Sequence, residues 1–221
     1  MKRLVVSILA CASLCSTASA ADLWTDSSPI MSGMPASGWT GFYLGVNGGY
    51  SWGTTSNNPA LPGGVVDNAA SGWLGGLQAG YNLDLGGFVL GTEIDGQVTN
   101  FGYAEALAPT GNFEAKMDMF GTARLRVGVP VGQVMPYATG GVAVGRGSAS
   151  VVDGVTTTTS ATHLGWTAGL GLEAQATTNL SIKAEYLYVD LGSQPYNGLP
   201  VGNRDIGHKF SVIRAGVNYK F

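Results

Sequence analysis

Apolar and polar residues alternate in eight separate stretches of this chain: 41–52, 72–83, 87–98, 116–129, 134–145, 162–174, 179–190 and 209–221. A period of two is that of a strand whose two faces meet different surroundings. No long segment shows the 3.6-residue period of an amphipathic helix. The last stretch, "SVIRAGVNYKF", sets Ile213, Ala215, Val217, Tyr219 and Phe221 against Val212, Arg214, Gly216, Asn218 and Lys220, and it runs to the final residue. Chain ends are normally frayed and polar. This one requires a partner strand to hold it.

The segments between these stretches alternate in length. Residues 84–86, 130–133 and 175–178 are brief, whereas 53–71, 99–115, 146–161 and 191–208 are long and rich in turn-forming polar residues. Alternating tight turns and longer loops are what an up-and-down barrel across an outer membrane shows. The expected fold is therefore all-β: an eight-stranded antiparallel up-and-down transmembrane β-barrel with short periplasmic turns and four longer external loops. An even strand number returns the chain to its starting side, and the last strand closes on the first.

Sorting by parity gives the solvent on each side. One face carries Phe42, Leu44, Val46, Trp52, Trp73, Leu77, Phe88, Leu90, Ile94, Met117, Met119, Leu125, Val142, Leu164, Trp166, Leu170, Ile182, Tyr186 and Tyr188, and no charge between the strand ends. The opposite face carries Asn47, Gln78, Gln97 and Asn218 with ten charges. Five acids (Glu93, Asp95, Asp118, Glu173, Glu185) oppose five bases (Arg124, Arg126, Lys183, Arg214, Lys220), and glycines fill many positions between. A soluble lipocalin-type barrel is apolar inside and wet outside. Here the sides are inverted, with aromatic residues toward the strand ends, so lipid is the outer solvent. Eight strands leave an interior just wide enough for side chains. The ten charges are therefore expected to pack as an ion-pair lattice, Glu93 and Asp95 beside Arg124 and Arg126, rather than to line a water-filled pore.

Composition adds the chain's destination. Residues 1–20, "MKRLVVSILACASLCSTASA", combine a basic start, a short apolar run and a small-x-small ending, the pattern of a cleaved signal peptide. Residues 21–40, with Pro, Ser and Gly but no period, read as a flexible periplasmic leader, and 41–221 as the barrel. Both cysteines, Cys11 and Cys15, fall in the signal segment, so the mature chain has no thiol for a disulfide, a metal or catalysis. Removing Lys2 and Arg3 from 11 basic residues leaves 9 against 14 acidic ones, about −5 in net charge. Without a basic excess, nucleic acid is not an expected partner.

Motifs with possible chemistry are few. "GLGLEA" (169–174) has the spacing of a dinucleotide fingerprint but leads into a turn and another strand rather than a helix, so its glycines are read as easing a tight lumen. His208 and Ser211 lie three apart, on opposite faces of a strand, and cannot share a proton; no enzyme is expected. His163 and His208, the only histidines, both belong at the external rim. Two rim imidazoles are chemically capable of holding haem iron, but they are read first as loop-edge polar residues, with no cofactor or metal.

"WTGFYLGVNGGYSWG" (39–53), "GGLQAGYN" (75–82), "PYATGGVAVG" (136–145), "GWTAGLGLE" (165–173), "KAEYLYVDLG" (183–192) and "RAGVNYKF" (214–221) together resemble the RopB-type porin-like family of small alphaproteobacterial outer-membrane proteins. The resemblance covers nearly every strand and implies a multi-pass outer-membrane barrel with loops on the cell surface. That group includes surface antigens and haemin-binding relatives. The ending, with Tyr219 and Phe221, is similar to the signal read by the outer-membrane assembly machinery. The expected function is structural, in envelope integrity and surface contact. The alternative is small porin-like transport or haemin reception. Expected partners are outer-membrane lipid, lipopolysaccharide and the assembly machinery; a monomer is expected, and the loop-binding partner is unknown.

Overall fold

The computed structural model describes residues 38–60, 65–106, 111–153, 155–197, 200 and 202–221. The signal segment and the leader up to residue 37 lie outside the described residues. Nine strands follow one another: β1 (Gly41–Asn58), β2 (Asp67–Asp84), β3 (Val89–Thr99), β4 (Gly102–Ala106), β5 (Asn112–Gly128), β6 (Val134–Asp153), β7 (Val155–Gln175), β8 (Leu180–Tyr196) and β9 (Arg204–Lys220). β3 and β4 are one wall strand interrupted at Asn100 and Phe101, and both pair with β5. The sheet thus has eight spanning strands. It is antiparallel throughout, and β1 pairs with β2 on one side and β9 on the other, which closes it.

Closure answers what holds the last strand. Tyr43 lies opposite Lys220 and Asn58 opposite Asp205, an unbroken register. Every backbone group of β9 that faces β1 is spoken for, as hydrocarbon surroundings demand. The close approach of strands in so narrow a barrel needs glycine at Gly49 and Gly141, where a Cβ would collide with the carbonyl of Ile213 or Ala123. At the periplasmic end the turns are tight. In the first, Asp84 Oδ1 accepts from Gly86 N (2.8 Å), and Gly86 takes the left-handed conformation (φ 75°) that an L side chain resists.

Two features differ from the sequence reading. The four long external loops are largely wall: β6 reaches Asp153 and β7 begins at Val155, so most of 146–161 is paired, and strand also takes in much of 53–71, 99–115 and 191–208. Along these extensions the polarity is the ordinary one for water. Thr54, Ser71, Arg146, Thr158, Thr162, Asp205 and Lys209 face out, while Phe113, Ala149, Val151, Ile206 and Phe210 are buried within. Each strand therefore changes solvent partway along, and its alternation no longer matches the lipid pattern. Secondly, the β5–β6 register shifts between Met117 and Met119. The extra residue of a bulge turns the strand, so Met117, expected to face lipid, is buried inside instead.

The lower belt keeps the inverted polarity. Leu44, Leu77, Ile94, Leu125, Leu170 and Ile213 are exposed large hydrophobics around the wall. Tyr50, Trp52, Trp73, Trp166, Tyr186 and Tyr188 ring its outer margin, with Tyr50 and Trp73 rings 5.1 Å apart. Phe42, Tyr81, Tyr219 and Phe221 mark the periplasmic margin, Phe42 and Tyr81 rings being 4.6 Å apart. This arrangement requires that Leu170→Arg, on the lipid face, destabilise the barrel in bilayers by about 2–4 kcal/mol. Thr167→Arg, whose side chain points inward, acts by crowding and is insensitive to lipid chain length. Urea titrations in vesicles of two thicknesses measure both; equal losses at the two sites contradict the facing.

Candidate functional site

The largest gathering of ion-paired side chains among the described residues is in the interior. Inward-facing positions of β3, β5, β7, β8 and β9 bring four carboxylates, Glu93, Asp95, Glu173 and Glu185, against four cations, Arg124, Arg126, Lys183 and Arg214. All eight are buried.

Arg124 is the hub. Its register partner across β3–β5 is Glu93, which it also salt-bridges. It further reaches Asp95 (2.9 Å) and, across the lumen, Glu185 (2.9 Å), and its Nε donates to Thr122 Oγ1 (2.9 Å). Thr122 in turn donates to Asp95 (2.6 Å). Arg214 binds Glu185 (2.5 Å) and Asp95 (3.3 Å). Lys183 donates to both oxygens of Glu93 at 2.8 Å. Arg126, expected to pair with the Glu93 and Asp95 carboxylates, pairs with Glu93 (3.7 Å), also crosses to Glu173 (2.5 Å) and lies over the Tyr137 ring at 4.0 Å.

Strands without a charge supply neutral partners. Tyr43 donates to Glu93 (2.7 Å) and Tyr137 to Glu185 (3.0 Å). On the periplasmic side an amide chain continues: Asn47 to Gln78 (2.9 Å), Gln78 to Asn218 (2.5 Å), and Asn218 to Glu173 (2.9 Å). Removing an ion from water costs several kcal/mol, and attraction offsets that only when geometry is good and remaining lone pairs are filled. Four of each sign, with hydroxyl and amide donors on the carboxylates, go most of the way to that condition, although Arg126 Nε and Arg214 Nη1 have no hydrogen-bond partner among the described residues.

Two of the ten expected lumen charges stand apart. Lys220 sits at the periplasmic margin and donates to the Gly38 carbonyl. Asp118 is the extra residue at the bulge in β5, half-buried, and joins none of these ion pairs. Both departures follow from position: Lys220 is at the end of β9, and the bulge takes Asp118 off the inner row. Of the expected assembly signal, Tyr219 and Phe221 are exposed on the outer face with rings 5.3 Å apart.

Above the ionic layer the interior holds two apolar clusters, with Thr55, Asn57, His163, Arg204 and His208 buried beside them, which the sequence reading missed. Leu74, Phe101, Met117, Phe120, Leu187, Val189, Leu191, Phe210 and Val212 form one buried cluster, with Phe101 and Phe210 rings 4.8 Å apart. A second cluster at the outer end holds Phe113, Ala115, Ala149, Val151, Tyr196 and Ile206. At the periplasmic mouth Trp39 packs on Val89 and Met135, so residues 38–40, assigned to the flexible leader, are part of the barrel. The signal for the plug was present: Leu187, Val189, Phe210 and Val212 alternate on the inner parity.

The histidines are not at the rim. His163 and His208 point inward, at 0% and 1% exposure, with ring centroids 5.0 Å apart. Strand extension placed them there. Two enclosed rings this close leave no room for a porphyrin between them as they are placed. Ser211 faces outward, bonded to the Tyr186 hydroxyl (2.8 Å), away from His208. Among the described residues no cluster of three His, Cys, Asp or Glu side chains is placed to hold a metal.

Such a wall, lipid-facing in its lower belt and closed on itself, defines an integral outer-membrane barrel. The family model "Outer membrane protein beta-barrel domain" matches residues 7–221, and the chain belongs to that family. It is 36% identical over 244 aligned positions to the 31 kDa outer-membrane immunogenic protein of Brucella melitensis, covering all of both chains. Over 226 positions it is 32% identical to the 25 kDa outer-membrane immunogenic protein of Brucella abortus, covering 100% of this chain and 99% of that one. Identity to the 22 kDa outer membrane protein of Rhizobium leguminosarum bv. viciae is 33%, covering 85% and 80%. The alphaproteobacterial kinship matches the resemblance in the strand motifs, and the chain is an outer-membrane protein of this surface-immunogenic group. Among solved structures, Neisserial surface protein A superposes with a TM-score of 0.50 at 19% identity, covering 82% of this chain and 98% of that one. The Escherichia coli outer membrane protease OmpT gives 0.52 at 10% identity, covering 82% and 97%. At such identities both speak for the fold alone.

Truncating the hub tests the energetics. Arg124→Ala leaves Glu93, Asp95 and Glu185 each short of a cation, and breaking a buried pair from one side costs about 3–5 kcal/mol. Adding Glu185→Gln is expected to recover part of that, a coupling of about 0.5–3 kcal/mol in a double-mutant cycle read by urea unfolding.

Proposed function

We propose that this protein is a structural, non-enzymatic component of the outer membrane whose lumen is closed, contributing to envelope integrity and presenting its outer hairpins for surface contact. The observation that carries the reading is the filling of the interior along its length. Trp39, Val89 and Met135 occupy the periplasmic mouth, the four-by-four ion-pair lattice the middle, and two aromatic and aliphatic clusters the outer half. A conducting pore needs a continuous hydrated path, and a side-chain plug in an eight-stranded barrel leaves none.

Its lower belt meets outer-membrane lipid, and its outward Lys116, Arg146 and Lys209 are suited to lipopolysaccharide phosphates by charge. The exposed Tyr219 and Phe221, at the end of the strand that pairs with β1, suit recognition by the assembly machinery. The homologues named as outer-membrane immunogenic proteins support surface presentation.

Planar-bilayer recording tests closure. The purified protein is expected to give no steady conductance. Replacing the plug residues Phe101, Phe120 and Phe210 together with Ala, with Arg124→Ala and Glu185→Gln below them, is expected to open a small leak. A stable, ion-selective current from the unmutated protein rules the reading out in favour of transport.

A further inference from the structure

Between the two apolar clusters of the outer half lies a polar group that the ionic layer does not use. His163 from β7, His208 from β9 and Tyr196 from β8 converge beside Gly147 of β6. His163 Nε2 and the Tyr196 hydroxyl are 3.0 Å apart. A Cβ placed on Gly147 would collide with that hydroxyl and lie 3.2 Å from His208 Nε2 and 3.4 Å from His163 Nε2. Three donor atoms from three strands thus surround one small space, and glycine keeps it open.

The far side of the His208 ring is arranged to match, while His163 Nδ1 is buried without a hydrogen-bond partner among the described residues. Thr55 Oγ1 lies 3.0 Å from His208 Nδ1. With the ring proton on Nδ1 and donated to Thr55, Nε2 presents its lone pair toward Gly147. A partner on the second ring nitrogen that fixes the tautomer is the usual support of a metal-binding histidine. Asp118, freed from the ion-pair lattice by its bulge, acts electrostatically on Tyr196. It supplies a negative charge in a region otherwise walled by Phe101, Phe113, Met117 and Ile206.

We propose that His163, His208 and Tyr196 form a binding site for one borderline divalent transition-metal ion, Zn²⁺ or Cu²⁺, inside the outer half of the barrel. Two imidazoles suit these ions better than Mg²⁺ or Ca²⁺, which take oxygen ligands. Tetrahedral zinc with bonds of about 2.0–2.1 Å sets its donors roughly 3.3–3.5 Å apart, so the 3.0 Å Tyr196–His163 pair needs only a small expansion. On binding, the Tyr196 phenol gives its proton to solvent and its oxygen bonds the metal. The phenolate and the Asp118 carboxylate together balance the 2+ charge. A fourth coordination position is left for water. Because the site is enclosed, the ion enters while the outer hairpins are still open, during folding.

The test refolds the mature chain from urea into detergent micelles with ZnCl₂ or CuSO₄ present, or with the metal added only afterwards, followed by gel filtration and metal analysis. One ion per chain is expected, retained best when present during refolding. Thr55→Val is expected to weaken binding 10–100-fold, and Gly147→Ala to block it with every donor retained. His163→Ala with His208→Ala is expected to abolish it, with folding of each variant checked by the mobility shift between boiled and unboiled samples. Cu²⁺ electron paramagnetic resonance of the unmutated protein gives an independent readout, with hyperfine coupling to two imidazole nitrogens expected. Equal metal retention by the unmutated and double-histidine chains overturns the proposal. So does no retention under either order of addition, or a copper spectrum without nitrogen coupling; the cluster is then a structural brace.

Discussion

Everything in this molecule depends on the backbone ladder between β1 and β9. In hydrocarbon an unpaired amide or carbonyl costs several kcal/mol, so an open eight-stranded sheet with two bare edges could not remain in the membrane. Closing those edges fixes the barrel's circumference, and a small circumference in turn fixes what the inside can hold. There is room for side chains but little for bulk water. The crowded interior, the glycines where strands press together and the burial of eight charges all follow from that one closure.

Charges forced into such a space must satisfy one another. The lattice does this across the lumen rather than along one strand pair: Lys183 of β8 reaches Glu93 of β3, and Arg214 of β9 reaches Asp95 of β3. Those contacts tie opposite walls together at mid-height, where β-strand hydrogen bonds alone connect only neighbours. Lattice and ladder thus brace the barrel in perpendicular senses, one around its circumference and the other through its centre.

The lipid-facing belt was legible because hydrocarbon tolerates no ambiguity: Leu44, Leu77, Ile94 and Leu170 sit on an uncharged face that alternates without a break. The strand extensions were not. In "TTTTS" (156–160) both parities are polar, since water lies outside and the narrow interior admits Thr157 and Thr159 as readily as Val. Periodicity there carries little information. Nor does a single sequence reveal the bulge at Asp118, which moves one residue off the row and reverses the facing of Met117. For the interior, parity places Glu93 and Arg124 on adjacent strands. The longer reach of Arg126 to Glu173, and the meeting of His163 with His208, arise from strand stagger and the curvature of the closed wall, which no local pattern encodes.

The reversal of polarity partway up each strand has a mechanical meaning. Below the level of Trp52, Trp73 and Trp166 the outer surface is oily; above it stand Thr54, Ser71 and Thr162. Moving the barrel outward would strip Leu and Val of their hydrocarbon, while moving it inward would drown hydroxyls and the Lys209–Asp190 pair in acyl chains. Opposing restoring forces of this kind hold a body at one draught, as a hull is held at its waterline. The protein is moored vertically without any anchor beyond its own surface, and the paired hairpins that project past the headgroups keep a constant height above the cell.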